Sequence, residues 1–291
     1  MSRDPVFPII EVFGFPTDAR TPESRDVQSK RHCPFADVQC EKFRQYGYGY
    51  CSVTYAAADD EGTRLTYAVC DHRLDGAPVA AAISDHFGAR SNITLVPEIV
   101  LTNPRTSFDF VAFRSDDKKL EDVIAIETQA IDMRGGGVGP AWRAWMDGRP
   151  NEWRRYFTEE AEQKRRRDTV AYGVNMANIY KRLGLQVAEK GSYLKNLGVP
   201  LYVVMQDRPF QYLHRRIAFA PTAAAQDWDV AFMTFDYTGR VLKNGMLEFA
   251  ADRVVRTTLQ SYLDALSQDK RASNDAREHF LSVVRRKAGI A

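Results

Sequence analysis

The fold class predicted for this chain is decided by residues 105–134, RTSFDFVAFRSDDKKLEDVIAIETQAIDMR. Two runs within it, FDFVAF (108–113) and VIAIETQAI (123–131), are short and rich in aromatic and β-branched residues, which favour strands. The polar segment SDDKK (115–119) lies between them and is typical of a tight turn. This stretch therefore predicts a β-hairpin.

Polar side chains interrupt both strands of the predicted hairpin. If the chain turns about Asp117–Lys118, Asp109 lies opposite Ile126 or Glu127 on the neighbouring strand. Gln129 then points the same way as Glu127, because side chains alternate along a strand. Burial of unpaired carboxylates is unfavourable, and a hard divalent cation with oxygen ligands would remove that cost and supply a chemistry. The alternative is an edge hairpin with a solvated polar face.

The composition is that of an ordinary globular protein, with 44% hydrophobic and 27% charged residues. The net charge of +2 does not by itself indicate a nucleic-acid partner, although basic residues cluster locally, as in KRRR at 164–167. The sequence has no apolar run of about 18 residues and no secretory signal pattern. It therefore predicts a cytoplasmic protein without a membrane partner.

All four cysteines, Cys33, Cys40, Cys51 and Cys70, fall within one short segment. In a reducing cytoplasm this clustering favours a tetrathiolate metal site over two disulfides, with zinc as the default and iron as the alternative. The gaps of six, ten and eighteen residues contain no CxxC pair, so free buried thiols and redox chemistry stay open as alternatives.

The chain divides into two predicted domains. Residues 1–75, rich in Tyr and Gly around the cysteines, indicate a small module of short strands that a metal cross-link would stabilise. Residues 76–291 predict an α/β domain with a mixed sheet flanked by helices. The expected elements are a strand over 6–15, a helix capped by Asp75, a strand over 93–101 with a bulge or edge at Pro97–Glu98, helices over 151–167 and 174–197, strands over 200–207 and 229–239, and closing helices over 252–268 and 274–287.

A basic and aromatic segment follows the hairpin. Arg134, Arg143 and Arg149 are interleaved there with tryptophans, and arginine contacts phosphates and guanine edges. These arginines are candidates for DNA contacts and favour a GC-rich site. The alternative is a loop and an amphipathic helix whose tryptophans lie in the core.

An acid near the start of one strand, followed by Glu-x-Gln on the next, resembles the core of the PD-(D/E)xK nucleases, with Gln129 in place of the usual lysine. HCPF at 32–35, YCSV at 50–53, VCDHRLD at 69–75 and ETQAID at 127–132 are similar to the iron site and catalytic strand of NotI-like Type II restriction endonucleases. Weaker similarities extend over most of the chain.

The resemblance implies a bacterial Type II restriction endonuclease that cuts double-stranded DNA at a palindromic site as a homodimer. It implies a PD-(D/E)xK restriction-endonuclease-like mixed sheet flanked by helices, preceded by a small N-terminal metal-binding module with four cysteine ligands. Asp109, Glu127 and the Thr128 carbonyl would bind Mg²⁺, and Gln129 would orient the attacking water. The four cysteines would hold a structural iron, with zinc as the alternative.

Gln129 cannot supply the positive charge of a lysine, so the metal must carry more of the stabilisation or a second metal must bind. Two other functions stay open. One is a metal-stabilised DNA-binding protein without cleavage, and the other is a non-specific or repair nuclease on the same core.

Overall fold

The computed structural model of the protein describes residues 6–58, 64–89, 92–103, 105–116, 119–135, 137–167, 169–170, 172–222, 227–268 and 274–289. The predicted hairpin turn at Asp117–Lys118 lies outside these residues. The positions on either side of it, Asp116 and Lys119, pair with each other. The two strands that the turn joins are therefore antiparallel neighbours, as the sequence predicts.

The N-terminal part consists mainly of short strands. In chain order its elements are β1 (Ile9–Val12), β2 (Phe15–Pro16), α1 (Pro22–Lys30), β3 (His32–Cys33), β4 (Val38–Gln39), α2 (Glu41–Tyr46), β5 (Tyr50–Ala58) and β6 (Arg64–Ala68), followed by a 3-10 turn at Asp71–Arg73. An antiparallel sheet has the order β2-β1-β5-β6. The single strand predicted over 6–15 is wrong, because Phe13 and Gly14 adopt positive φ angles of 47° and 81° and turn the chain back.

Helices and strands alternate through the rest of the chain. The elements are α3 (Ala77–Phe87), β7 (Ile93–Thr102), β8 (Arg105–Asp116), β9 (Lys119–Gln129), β10 (Met133–Gly135), α4 (Gly139–Met146), α5 (Trp153–Gln163), β11 (Tyr172–Val174), α6 (Met176–Asn178), α7 (Gly184–Asn196), β12 (Leu201–Gln206), α8 (Asp207–Arg216), β13 (Val230–Val241), β14 (Leu247–Thr257), α9 (Leu259–Ser267) and α10 (Asn274–Ala288). A 3-10 turn at Pro150–Glu152 precedes α5, and a π-helical turn at Ile179–Leu183 joins α6 to α7.

The central sheet is mixed, with the order β14-β13-β12-β9-β8-β7 in the described part of the chain. β12 is parallel to both β9 and β13, whereas the remaining neighbours are antiparallel. The predicted α/β class with a mixed sheet and helices is confirmed. β7 is an edge strand, and Glu98 within it has a φ of 53°, so the irregularity expected at Pro97–Glu98 is present.

β12 shows why helices lie against both faces of this sheet. All six of its residues are buried, and alternate side chains enter two different hydrophobic clusters. Leu201 and Val203 pack in the cluster that includes Val187 of α7, whereas Tyr202 packs in the one that includes Val79 of α3. Each such aliphatic side chain contributes roughly 1.5–3 kcal/mol by leaving water. The continuous apolar run therefore makes β12 the centre of the sheet.

The predicted helix over 252–268 is wrong in its first half. Val254 and Val255 belong to β14 and pair with Met233 and Phe232 of β13. Paired β-branched residues favour a strand, and the helix starts only after Thr258, whose hydroxyl caps it.

Three helix boundaries also differ from the predictions. The helix predicted over 151–167 ends at Gln163, because Arg165 takes a positive φ and the KRRR run leaves the helix. The helix predicted to start at 174 starts at Met176, after β11. Gly76, with a φ of 64°, stands at the N-cap of α3, so the predicted Asp75 cap is wrong.

Among the described residues, no helix combines the length and apolarity needed to cross a bilayer.

One buried cluster contains residues from both sides of position 75, for example Val53 of β5 and Phe108 of β8. The domain boundary at residue 75 stays a prediction.

Candidate active site

The candidate site lies where β8 and β9 separate. In the described residues the last pair between β8 and β9 is Phe110 with Ile126. Asp109 and Glu127 are the next residues on the two strands, just beyond this pair. Beyond that point β8 continues beside β7, and β9 continues beside β12. The two carboxylates therefore lie next to each other in the fork between the strands.

Asp109 is held in place by Thr128. The Thr128 amide donates to Asp109 Oδ2 over 2.8 Å, and the Thr128 hydroxyl donates to the same oxygen over 3.3 Å. Two donors on one oxygen restrict the rotation of the carboxylate, which suits a ligand that must be pre-positioned. The predicted role of the Thr128 carbonyl as a metal ligand stays a prediction.

The carboxylate of Glu127 is buried and only partly hydrogen-bonded. The residue is only 8% exposed, and its Oε1 atom is buried with no hydrogen-bond partner in the described part of the chain. Burial, together with the nearby charge of Asp109, raises the pKa of Glu127 to about 7. An unsatisfied buried acceptor costs about 1–3 kcal/mol. A hard divalent cation would satisfy this oxygen, so the donor chemistry fits such an ion.

Lys190 is a site residue that the sequence did not reveal. Its Nζ lies 2.6 Å from Glu127 Oε2, and both side chains are about nine-tenths buried. Its ammonium group also lies 5.5 Å from the ring centroid of Phe108. The apolar spacing of α7 predicts which residues face the core but not what the polar face meets. The available signal was the repeat of Arg182, Gln186 and Lys190 at four-residue spacing on one helix face.

Gln129 lies at the end of β9 and bonds to its own strand. Its Nε2 donates to the carbonyl oxygen of Ala130 over 2.6 Å. This bond uses one of the two N–H donors of the amide and leaves its oxygen to accept a hydrogen bond.

These side chains open into a cleft of about 620 Å³. Its lining is rich in carboxylates, which come from six residues: Asp71, Asp75, Glu98, Asp109, Glu127 and Asp132. The cationic side chains that also line it are Arg182 and Lys190, together with His72. An anionic substrate would be repelled from this cleft unless a metal cation balanced the carboxylates.

The cysteine segment forms one wall of the cleft. Asp71 follows Cys70 directly, and its Oδ1 accepts a bond from the Ala130 amide over 3.3 Å. The next amide, that of Ile131, donates to the carbonyl of Ala68 over 3.0 Å. Burial raises the pKa of Asp71, and the neighbouring Asp109 raises it further. The sequence alone did not predict this third carboxylate, because 38 positions separate it from Asp109 in the chain.

The four cysteines are buried free thiols. The Gly14 amide donates to Cys51 Sγ over 3.3 Å, and backbone amides also donate to Cys33 and Cys70. Burial raises the pKa of Cys51 well above its usual value, and the adjacent Cys70 and Cys33 raise it further. Neutral thiols are therefore favoured unless a metal cation is present.

The thiols do not form a closed ligand set. Within the described ranges, no three Cys, His, Asp or Glu side chains are arranged as a group that could hold a metal ion. The histidines beside the outer cysteines are engaged elsewhere: His32 contacts Asp37 at 3.1 Å, and His72 contacts Asp75 at 2.6 Å. The four-cysteine metal site stays a prediction.

The three arginines predicted to contact DNA are not among the described residues that line the cleft. Arg143 donates to the buried Glu160 over 3.2 Å, and this carboxylate also binds Lys164 and Arg166 of the KRRR run. Arg134 lies on β10, and Arg149 precedes the 3-10 turn before α5. Their DNA-binding role stays a prediction.

The tryptophans of this segment belong largely to the interior. Trp142 and Trp153 are buried, and Trp145 is partly buried and stacks on Trp142. The alternative of an amphipathic helix with core tryptophans therefore describes α4 and the start of α5.

Comparison with the models of known protein families finds no match, and a search of curated proteins finds none either. Function is therefore inferred from the chemistry of the cleft.

Proposed function

We propose that this protein is a Mg²⁺-dependent endonuclease of the Type II restriction kind, acting on double-stranded DNA with a PD-(D/E)xK core. The observation that carries the proposal is the buried, unpartnered Oε1 of Glu127 beside Asp109 in the described part of the chain. The arrangement of an acid on β8 and Glu-x-Gln on β9, within a mixed sheet, supports it.

The metal would be held by Asp109 and Glu127, with the Thr128 carbonyl as a further proposed ligand. Magnesium binds proteins through one or two carboxylates and keeps several waters, so two acids are enough. When bound, it supplies a Lewis acid that lowers the pKa of water and neutralises charge on the phosphate. Thr128 keeps Asp109 oriented through its amide and hydroxyl.

Lys190 supplies the positive charge that Gln129 cannot. Its ammonium group contacts Glu127 from α7 rather than from β9. In this position it offsets the charge of a buried carboxylate and stabilises negative charge that develops on the phosphate. Gln129 holds its amide nitrogen on Ala130, so its oxygen can accept a hydrogen bond from the attacking water. This division of roles replaces the lysine of the usual motif.

The cysteine segment is proposed to hold a structural iron or zinc. Cys70 and Cys33 raise the pKa of Cys51, and Cys40 raises that of Cys33, and this electrostatic coupling supports a shared site. Backbone N–H donors to three of them partly oppose the effect of burial and would stabilise the thiolates that a metal requires. Such a metal would stabilise the wall of the cleft that carries Asp71.

Homodimerisation and a palindromic, GC-rich site belong to the same proposal. A two-fold dimer presents two equivalent clefts to the two strands, which requires a palindrome. Sedimentation of the protein with and without duplex DNA measures this directly. A monomer in both states would contradict the dimer.

The test of activity is incubation of the wild-type protein with plasmid DNA of known sequence in Mg²⁺ and in EDTA. Discrete fragments in Mg²⁺ and intact plasmid in EDTA are expected, and sequencing their ends gives the site and cut position. A smear would favour the non-specific nuclease instead. Stable binding without any cleavage would favour the DNA-binding protein and overturn the proposed activity.

A further inference from the structure

One face of α7 and the turn before it forms a polar track along the cleft. Arg182, Gln186 and Lys190 all line the cleft and follow one another at four-residue spacing. Four residues of helix advance by about 6 Å, so their side chains emerge at successive levels along the axis. Arg182 lies in the π-helical turn, a local irregularity that occurs often at functional sites.

Arg182 and Gln186, the two members of this track that do not contact Glu127, are available for a ligand. The Arg182 side chain is 58% exposed and donates to Asp132 Oδ2 over 3.2 Å. Asp132 also accepts a bond from Asn178 and lines the cleft. Gln186 is half-buried and has no hydrogen-bond partner among the described residues. Lys190, in contrast, is committed through its contact with Glu127.

We propose that this face binds consecutive phosphates of one DNA strand, an inference that rests on the proposed endonuclease function. Lys190 lies at the scissile phosphate, and Gln186 and Arg182 bind the phosphates that follow it. In the free protein Arg182 forms an ion pair with Asp132, and the incoming phosphate takes the place of Asp132. A bidentate guanidinium–phosphate contact is stronger than an exposed ion pair, so the exchange is favourable.

Charge in the cleft supports this assignment. The cleft carries six carboxylates, and Arg182 and Lys190 are the Arg and Lys side chains among its described lining residues. A phosphate backbone that approaches the Asp109–Glu127 fork must therefore pass along α7. Arg134, Arg143 and Arg149 are absent from that described lining.

The salt dependence of duplex binding tests the track. Binding is measured by fluorescence anisotropy across a KCl series, with Ca²⁺ in place of Mg²⁺ and under conditions where no cleavage is detected. The slope of log K against log salt is negative, and loss of one phosphate contact makes it less steep by about 0.9. We expect this change for Arg182→Ala. The control Arg155→Ala removes an exposed arginine of α5 that pairs with Glu159 at 2.8 Å, and its slope should equal that of wild type.

A second variant tests the role of Asp132. Asp132→Asn removes the charge that competes for Arg182 and should tighten duplex binding several-fold. The same substitution in an Arg182→Ala background should produce no gain. Equal gains in both backgrounds would show that Asp132 acts by general repulsion and would overturn the proposed exchange.

The outcomes for the track and for the enzyme are separable. If wild type cleaves but Arg182→Ala keeps the wild-type slope, the track is wrong and the nuclease stands. If wild type binds duplex and Arg182→Ala shows the expected slope change, but wild type never cleaves in Mg²⁺, the nuclease is wrong and the track stands. If wild type binds no duplex, both are overturned.

Discussion

Protons and divalent cations are predicted to compete for Glu127. Its burial and the neighbouring Asp109 raise its pKa to about 7, so near pH 6 the free protein holds this carboxyl mostly neutral. A hard cation binds the carboxylate and must displace the proton. Metal affinity should therefore rise with pH up to about pH 7 and level off above it.

The size of this effect follows from the raised pKa. Near pH 6 about one molecule in eleven has Glu127 ionised, whereas near pH 8 about nine in ten do. The apparent affinity should therefore increase about tenfold between these values, which corresponds to about 1.4 kcal/mol of binding free energy. A carboxylate with an ordinary pKa near 4.3 is ionised throughout this range and would give almost no change.

Calorimetric titration with Ca²⁺ or Mn²⁺ from pH 6 to pH 8 measures the effect. Glu127→Gln should bind weakly and lose the pH dependence. Glu121→Gln is the matched control, since Glu121 lies on the same strand, is exposed and pairs with Arg114 at 2.6 Å. An affinity that stays constant across this range, with Glu127→Gln equal to wild type, would refute the assignment of Glu127 as a metal ligand.

Three further predictions concern the surroundings of the site. Lys190 lowers the pKa of Glu127, so Lys190→Ala should move the pH midpoint of metal binding upward and slow cleavage at least tenfold. The control is Lys195→Ala on the same helix, which removes the ion pair of Lys195 with Asp229 and should change neither quantity. Gly14→Ala places a Cβ 2.5 Å from Pro34 at a φ of +81° and should lower the free energy of unfolding by about 1–3 kcal/mol in urea titrations. Gly47→Ala, with a φ of +72° but open space, separates backbone strain from the clash and should cost less. Elemental analysis should find about one iron or zinc per chain, and a value near zero would defeat the four-cysteine site.

Local sequence pattern was sufficient to predict the strands that carry the site. The aromatic and β-branched runs around Asp109 and Glu127 became β8 and β9, and the apolar run at 201–205 became most of the central strand β12. The prediction of these strands succeeds because neighbouring residues within each segment share the preference for a strand. Prediction was poorer near 252–257, where a strand runs almost directly into helix α9.

The rest of the site depends on contacts between distant parts of the chain. Lys190 reaches Glu127 across 63 positions, and Asp71 reaches the Ala130 amide across 59. Periodicity identifies the polar face of α7, but only the packing of that helix against the sheet shows what the face meets. The unpartnered oxygen of Glu127 likewise becomes visible only when every nearby donor in the described part of the chain has been located.

The most direct test of the nuclease centre is single-turnover cleavage of a duplex that contains the mapped site. Wild type, Asp109→Asn, Glu127→Gln and Glu121→Gln are compared in Mg²⁺, and duplex binding is measured in parallel. We predict that Asp109→Asn and Glu127→Gln lose at least a hundredfold in rate while they still bind duplex, and that Glu121→Gln cuts like wild type. Wild-type rates for either variant at the fork would contradict a metal-dependent nuclease centre at Asp109 and Glu127.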